Sequence, residues 1–397
     1  MLWLDLLQRR TKGASAHIEV FVGHGENIIR RLCPNRMSTS KATILPAHPV
    51  RLGGERPESD EQFQARMLQF VSRTFALTIP QLPGALREAV GNGYLLCRIV
   101  DTIEDDAAMP AQEKRRFCEW FTAVVEGRAD AAQFAADLSA ALGPSTPAAE
   151  RDLVIDTPRV IAIMNGFRPA QQEALRICVA VMAEGMAMFQ ESKDPAGVPA
   201  LKDMDRYCYY VAGVVGEMLT RLFCDYSTEI AAEREELMRL AVSFGQALQM
   251  TNILKDIWED RERGACWLPR DVFASHGFDL RDLSAGRQDP GFEEGLAYLI
   301  GVAHGHVRNA LRYTLLLPSH ETGLRNFCLW ALGMAILTLR KINKNRGFAS
   351  GREVKITRRS VKATIAISQW TVRNDRLLRL LFRMIGAGVP STAVQIG

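Results

Sequence analysis

From residue 58 onward, apolar positions recur at intervals of three and four almost without interruption, and no segment alternates with the period of two that a half-buried strand needs. The pattern predicts an all-α chain. Helices are expected at about 59–77, 83–108, 111–126, 130–142, 147–164, 168–191, 200–225, 230–262, 291–317, 322–346, 354–373 and 375–386, with boundaries good to a few residues. Ser59-Asp60-Glu61 caps the first, Pro80 and Pro83 separate it from the second, and Gly143-Pro144 marks a later break. Residues 11–57 mix Gly, Pro, Arg and His without sustained periodicity. A poorly ordered extension over 1–57 is therefore expected, followed by a single domain over 58–397; Met37, which opens a Ser/Thr-rich run, is a candidate alternative start.

Two of these helices have an inverted pattern. Residues four apart on a helix differ by about 40° and roughly 6 Å of rise, so Tyr94, Arg98, Asp101 and Asp105 form one stripe. The positions around them are apolar: Leu95, Leu96, Ile99, Val100 and Ile103. Some 150 residues later Gln249, Asn252, Asp256 and Asp260 repeat the arrangement against Leu248, Ile253, Leu254, Ile257 and Trp258. A surface helix has a narrow apolar stripe and a broad polar face, and here the proportions are reversed. Both helices are thus expected to be buried, with their acidic stripes facing each other across a central cavity.

Aspartates at that spacing repel one another, and burying them unpaired costs far more, so a cation is implied. Aspartate oxygens suit Mg²⁺, which takes one or two carboxylates and fills its remaining positions with water and phosphate oxygens. A single acidic stripe would more simply be a solvated face. Two copies, each inverted, favour a pair of clamps on a diphosphate.

Composition narrows the alternatives. With 47% hydrophobic and 24% charged residues the chain has the balance of a soluble globular protein, and a net charge of +4 is too small to argue for a nucleic-acid partner. Its eight cysteines show no metal-binding spacing and are read as reduced core residues of a cytoplasmic protein. No uninterrupted apolar run reaches the roughly eighteen residues of a membrane span, and MLWLDLLQRR is too short an apolar segment for a signal peptide. The last helix, with its Arg-Leu-Leu-Arg-Leu-Leu-Phe-Arg pattern, is expected to cover the core; the other reading is a peripheral contact with the inner membrane.

Local chemistry adds further candidates. Ser72 and Arg73 precede an apolar run and suit diphosphate oxygens. Tyr207 and Tyr210 share a helix face, where a phenol beside a diphosphate can relay a proton. Gly213 and Gly216 in a helix interior imply a close approach by another element, and Gly185 leaves room for an apolar ligand chain. Cys266-Trp267-Leu268-Pro269-Arg270 is a loop placed to close the cavity mouth. The basic run at 341–359 lies where an anionic ligand would be received; there is no GxGxxG.

Taken together, SRTF at 72–75, YLLCRIVDTIEDD at 94–106, YCYYVAGVVGEMLTRLF at 207–223 and QMTNILKDIWED at 249–260 resemble the squalene and phytoene synthase family, the squalene synthase branch most closely, over about 60–370. The resemblance implies an isoprenoid-synthase-like helical bundle and head-to-head condensation of two farnesyl diphosphates to presqualene diphosphate, followed by NADPH-dependent reduction to squalene. It implies Mg²⁺ on Asp101, Asp105, Asn252, Asp256 and Asp260, with Ser72, Arg73, Tyr94, Arg98, Gln249 and Lys255 toward the diphosphates and Tyr207 in proton transfer. Asn326-Phe-Cys and Val354-Lys355-Ile look like the region that receives NADPH, which points to Asn326, Lys355 and Arg358. Two positions depart from the pattern: Lys255 replaces a common Arg, and Thr357 stands where eukaryotic members have a cofactor-contacting Arg. The C-terminal anchor of those members has no counterpart here, which points to a bacterial-type soluble or peripheral enzyme; a monomer is expected. Alternatives are a synthase that stops at presqualene diphosphate, or makes dehydrosqualene or phytoene without reduction, and a catalytically silent isoprenoid-binding or assembly protein.

Overall fold

A computed structural model describes residues 58–72, 74–191, 194–286 and 289–394. The N-terminal extension and Arg73 lie outside the described residues. Within them the chain is helical, and the only β pairing is an isolated bridge between Val198 and Pro269. The elements that shape the interior are α1 (Asp60–Val71), α2 (Gly84–Asp105), α3 (Ala111–Val125), α4 (Ala148–Ile155), α5 (Pro169–Glu191), α6 (Leu201–Cys208), α7 (Val214–Tyr226), α8 (Arg234–Lys255), α9 (Ile257–Glu262), α10 (Pro290–Leu316), α11 (Thr322–Lys344), α12 (Arg358–Thr371) and α13 (Asp375–Ile385). Shorter helices and turns connect them.

The capping box expected at the first helix forms: the Ser59 hydroxyl accepts from the Gln62 amide, and the Gln62 side chain accepts from the Ser59 amide. Several expected helices are interrupted. The first stops at Val71 and resumes as a short turn at Phe75–Thr78, the segment 147–164 divides after Ile155, and 230–262 is three helices, with Ala232 and Lys255 ending the first two. The expected helix 354–373 divides into Gly351–Val354 and α12. Each interruption is only a few residues long and leaves the helical periodicity on either side intact, so the apolar pattern alone does not reveal it.

The core runs continuously from Phe63 to Val389, and α2 and α8 lie inside it. Helix α2 contains Gly91, Asn92 and Gly93, poor formers in a helix interior. Tertiary packing offsets them: a Cβ on Gly93 would stand 2.8 Å from the Leu175 side chain and 3.0 Å from Met218, and the Asn92 amide donates to the Val160 carbonyl. Helix α8 meets α7 and the turn that precedes it backbone to backbone, since a Cβ on Gly216 would lie 2.2 Å from the Ala241 carbonyl oxygen and one on Gly245 2.1 Å from that of Ala212. This is the close approach expected at Gly213 and Gly216. Between α6 and α7 the chain makes one π-helical turn, Tyr209–Gly213, a wider turn that shifts the register of α7 relative to α6. Gly185 differs from expectation. A Cβ there would fall 2.0 Å from the Tyr210 ring, so the space is filled by Tyr210 rather than left for a ligand.

Helix α11 is apolar and long enough to cross a membrane by length and composition, yet its most apolar window is 83% buried within the protein. The seven described cysteines are buried and unbridged.

Candidate active site

Helix α2 carries Arg98, Asp101 and Asp105 through the core and stops at buried Asp106. Asp106 accepts from the Ala108 and Met109 amides, the Gly143 amide and the Thr146 hydroxyl. Burial pushes its carboxyl up, but these donors outweigh it and hold the group below its usual range. Asp106 is thereby the stop that fixes the end of α2. Asp101 and Asp105 are left for the interior.

Asp101 is buried, and its Oδ1 has no hydrogen-bond partner. Arg98 Nη1 lies 3.7 Å from Asp101 Oδ2, but the guanidinium is drawn to Glu150 on α4, and its Nε and Nη1 make no hydrogen bond. Burial pushes the Asp101 carboxyl up to about 7, against which Arg98 acts only in part and Asp105 adds repulsion. Toward the start of the stripe the Tyr94 hydroxyl donates to the Val71 carbonyl at 3.2 Å. Beside it, buried Ser72 accepts from the Phe75 amide.

The second stripe does not lie on one continuous helix. The chain breaks at Asp256 (φ −103°, ψ 19°), although the Asp256 amide still donates to the Asn252 carbonyl and the Asp260 amide to that of Asp256. Asp256 pairs with buried Lys255 at 2.8 Å and Asp260 with Arg263 at 2.9 Å. Burial still pushes Asp260 up to about 7, with Arg263 opposing and Asp256 and Asp105 reinforcing the shift. The contribution of Asp105 to the Asp260 shift places the two carboxylates within electrostatic reach of each other. Gln249 Oε1 and Asn252 Nδ2, both buried, are unpartnered as well.

Tyr207 sits between the two stripes. Its ring stacks face to face on Trp267 at 3.7 Å with 7° between planes and meets the edge of Phe189 at 5.3 Å. Burial raises its phenol well above the ordinary value, and Glu104, Asp260 and Asp105 add to the shift. The group is therefore a neutral donor. Trp267 is brought in by the loop expected at the mouth: the Val198 amide donates to the Leu268 carbonyl, and the Arg270 amide to that of Val198. At the same end Glu104 accepts from Gln190, which closes α5 against α2.

The residues expected to receive a dinucleotide are less closely grouped. Asn326 is buried on α11 with an unpartnered Oδ1. The Lys341 ammonium donates to the Lys355 carbonyl, which puts Lys355 about 22 Å along α11 from Asn326 at roughly 1.5 Å per residue. Arg358 is exposed at the first turn of α12, and Thr357 caps that helix. The basic loop is nevertheless fastened to the second stripe. Trp258 Nε1 donates to the Phe348 carbonyl at 2.6 Å, and the Gly351 amide to Glu259 at 3.2 Å.

Sequence reasoning missed two participants, Glu150 and the stack of Trp267 on Tyr207. Glu150 sits in an ordinary amphipathic segment with nothing to mark it, whereas the Trp-Leu-Pro loop was visible without its target. Among the described residues, no three His, Cys, Asp or Glu side chains are preassembled in metal-ligating geometry. The donor set still fits a divalent cation: its carboxylates and carboxamides offer oxygen, and it holds an orphaned buried carboxylate oxygen and two carboxyls that burial pushes toward neutrality.

A family description, squalene/phytoene synthase, matches residues 68–360. Curated relatives include squalene synthase ERG9 of Gibberella zeae, 30% identical over 316 residues, which is 79% of this chain and 64% of the relative. Squalene synthase LSS of Botryococcus braunii is 32% identical over 282 residues, 70% of this chain and 57% of the relative. The chain thus spans somewhat less than two-thirds of these relatives' lengths. Among solved structures, a ligand complex of TcSQS superposes with a TM-score of 0.67 at 26% identity, covering 84% of this chain and 94% of the other. A dehydrosqualene synthase complex superposes at 0.58 and 19% identity over 79% of this chain and 96% of the other, a likeness of fold alone.

Proposed function

Because the chain belongs to the squalene/phytoene synthase family, we propose that it condenses two molecules of farnesyl diphosphate head to head to presqualene diphosphate and reduces this with NADPH to squalene. One observation carries the reading: Arg98, Asp101, Gln249 and Asn252, on the two polar stripes inside the core, each hold a buried polar atom with no hydrogen-bond partner. Leaving such an atom unsatisfied costs about 1–3 kcal/mol, so a polar, multiply charged ligand is expected to meet them.

Asp101, Asp105, Asn252, Asp256 and Asp260 are the residues that would hold Mg²⁺, which when bound neutralises a departing diphosphate. Arg98 turns its free nitrogens, and Lys255 its ammonium, toward the diphosphate oxygens, with Gln249, Tyr94 and Ser72 as neutral partners and Arg73 beside them in sequence. Tyr207 donates its hydroxyl hydrogen bond to the leaving group, and Trp267 holds the phenol ring in one plane. The surrounding apolar side chains exclude water, so that an allylic cation formed at C1 of one farnesyl chain is attacked by the double bond of the second. NADPH, when bound by Lys355, Arg358 and Asn326, would supply the hydride that quenches the second cation.

Lys355 is held at the Lys341 end of α11, about 22 Å along that helix from the Asn326 position, and this spread favours a second reading, in which reaction stops before reduction. Products from purified protein, farnesyl diphosphate and Mg²⁺, with and without NADPH, separate the two by mass. Squalene formed only with NADPH supports the full sequence; presqualene diphosphate or dehydrosqualene regardless of NADPH overturns the reductive half, and no product overturns the enzyme reading.

A further inference from the structure

Helices α12 and α13 form the outer edge of the fold and divide cleanly into two faces. Inward, Thr364 packs where a Cβ on Gly333 would stand 2.4 Å away, and Val372 and Leu378 pack on Leu329. Outward, the large apolar side chains are left in solvent: Trp370 is 92% exposed, and Ile367, Leu377, Leu380 and Met384 are exposed as well. Leu377, Leu380 and Met384 have the spacing i, i+3, i+7 and make one stripe along α13. Arg376, Arg379 and Arg383 repeat that spacing one residue earlier, about 100° around the helix, and are exposed too.

Charge in this part of the chain is one-sided. Between residues 355 and 386 there are eight Lys and Arg but one carboxylate, Asp375, which pairs with buried Arg325 at 2.7 Å. The segment's excess is larger than the +4 of the whole chain, so the remainder is slightly acidic. A basic stripe beside an apolar stripe, with an exposed Trp on the adjoining helix, suits a surface that is anionic outside and apolar just beneath.

We propose that α12 and α13 dock this protein on the surface of an anionic lipid bilayer, with Trp370 and the Leu377, Leu380 and Met384 stripe entering the headgroup boundary and the arginines meeting lipid phosphates. Helix α12 lies directly on α11, the apolar helix that carries Asn326 in the interior, so docking would bring the core close to the bilayer. Docking depends on this outer face alone and holds whatever the reaction product is.

The test is co-sedimentation of the full chain with phosphatidylcholine vesicles containing about one-third phosphatidylglycerol, and with pure phosphatidylcholine vesicles. The expected result is at least about tenfold stronger binding to the anionic vesicles, weakening as salt rises through the screening range. The triple variant Arg376→Glu, Arg379→Glu, Arg383→Glu should lose that preference, and Trp370→Ser should remove most of the blue shift of tryptophan fluorescence on binding. Both should keep the wild-type circular dichroism and wild-type turnover in detergent. Equal sedimentation with both vesicle types, or unchanged sedimentation of the triple variant, overturns the proposal. So does a wild-type dimer in sedimentation velocity that Trp370→Ser converts to monomer, since the face would then belong to a second copy.

Discussion

The two aspartate pairs look alike in sequence and differ in the fold. Asp101 and Asp105 stand on one unbroken helix, and the cation beside Asp101 is an arginine already drawn to Glu150. Asp256 and Asp260 straddle a helix break, and each has its own cation, Lys255 and Arg263. The first pair is short of positive charge and the second is supplied with it. A motif read as a repeat therefore encodes two electrostatic environments, and an incoming cation meets an unmet demand at one and competes with lysine and arginine at the other.

The largest effect that would break this comparison is on turnover. If both pairs act on the same diphosphate chemistry, Asp101→Asn and Asp260→Asn should each lower kcat by about 10³-fold or more in steady-state assays with farnesyl diphosphate. A near-normal rate in either variant would remove that pair from the reaction. Tyr207, which lies between them, comes next: Tyr207→Phe keeps the stack on Trp267 and removes only the hydroxyl, for an expected loss of about 10²-fold in kcat. Trp267→Ala should cost about tenfold, with Trp267→Phe recovering much of it, because the aromatic plane rather than the indole nitrogen holds the phenol.

The smallest effect is the sharpest, because its sign differs between the pairs. Removing the Asp101 charge relieves an uncompensated burial, so Asp101→Asn should raise the melting temperature of the metal-free protein by a few degrees. Asp256→Asn strands buried Lys255 and should lower it. The pH dependence comes from the raised carboxyls. A carboxyl near 7 in the folded state and near 4 in the unfolded state binds more protons when folded, so the burial penalty is absent below about 4 and complete above about 7. The stability gain of Asp101→Asn, measured by urea unfolding, should accordingly shrink to nothing toward pH 4 and be largest at pH 8. A gain independent of pH would mean that Asp101 is compensated after all.

Much of this was legible in the chain. The reversed proportion of apolar and polar positions around Asp101 and Asp256 marks both helices as buried, and the tyrosine at 207 and the loop at 266–270 stand out as candidates. What escaped were relations between distant segments: Glu150 reaching Arg98, Trp267 lying on Tyr207, Tyr210 filling the space beside Gly185, and the hydrogen bonds that take Asp106 out of the acidic run.

Periodicity reports how a side chain is directed relative to its own helix axis, because that direction is set by local backbone geometry. Helix content, the buried character of α2 and α8 and the spacing of each aspartate pair are consequences of it. That Arg98 is drawn away from Asp101 to Glu150, and which aromatic ring steadies the Tyr207 phenol, depend on contacts between residues tens of positions apart. Packing density and the cost of burying unpaired charge select those contacts, and both terms exist only once the helices are assembled.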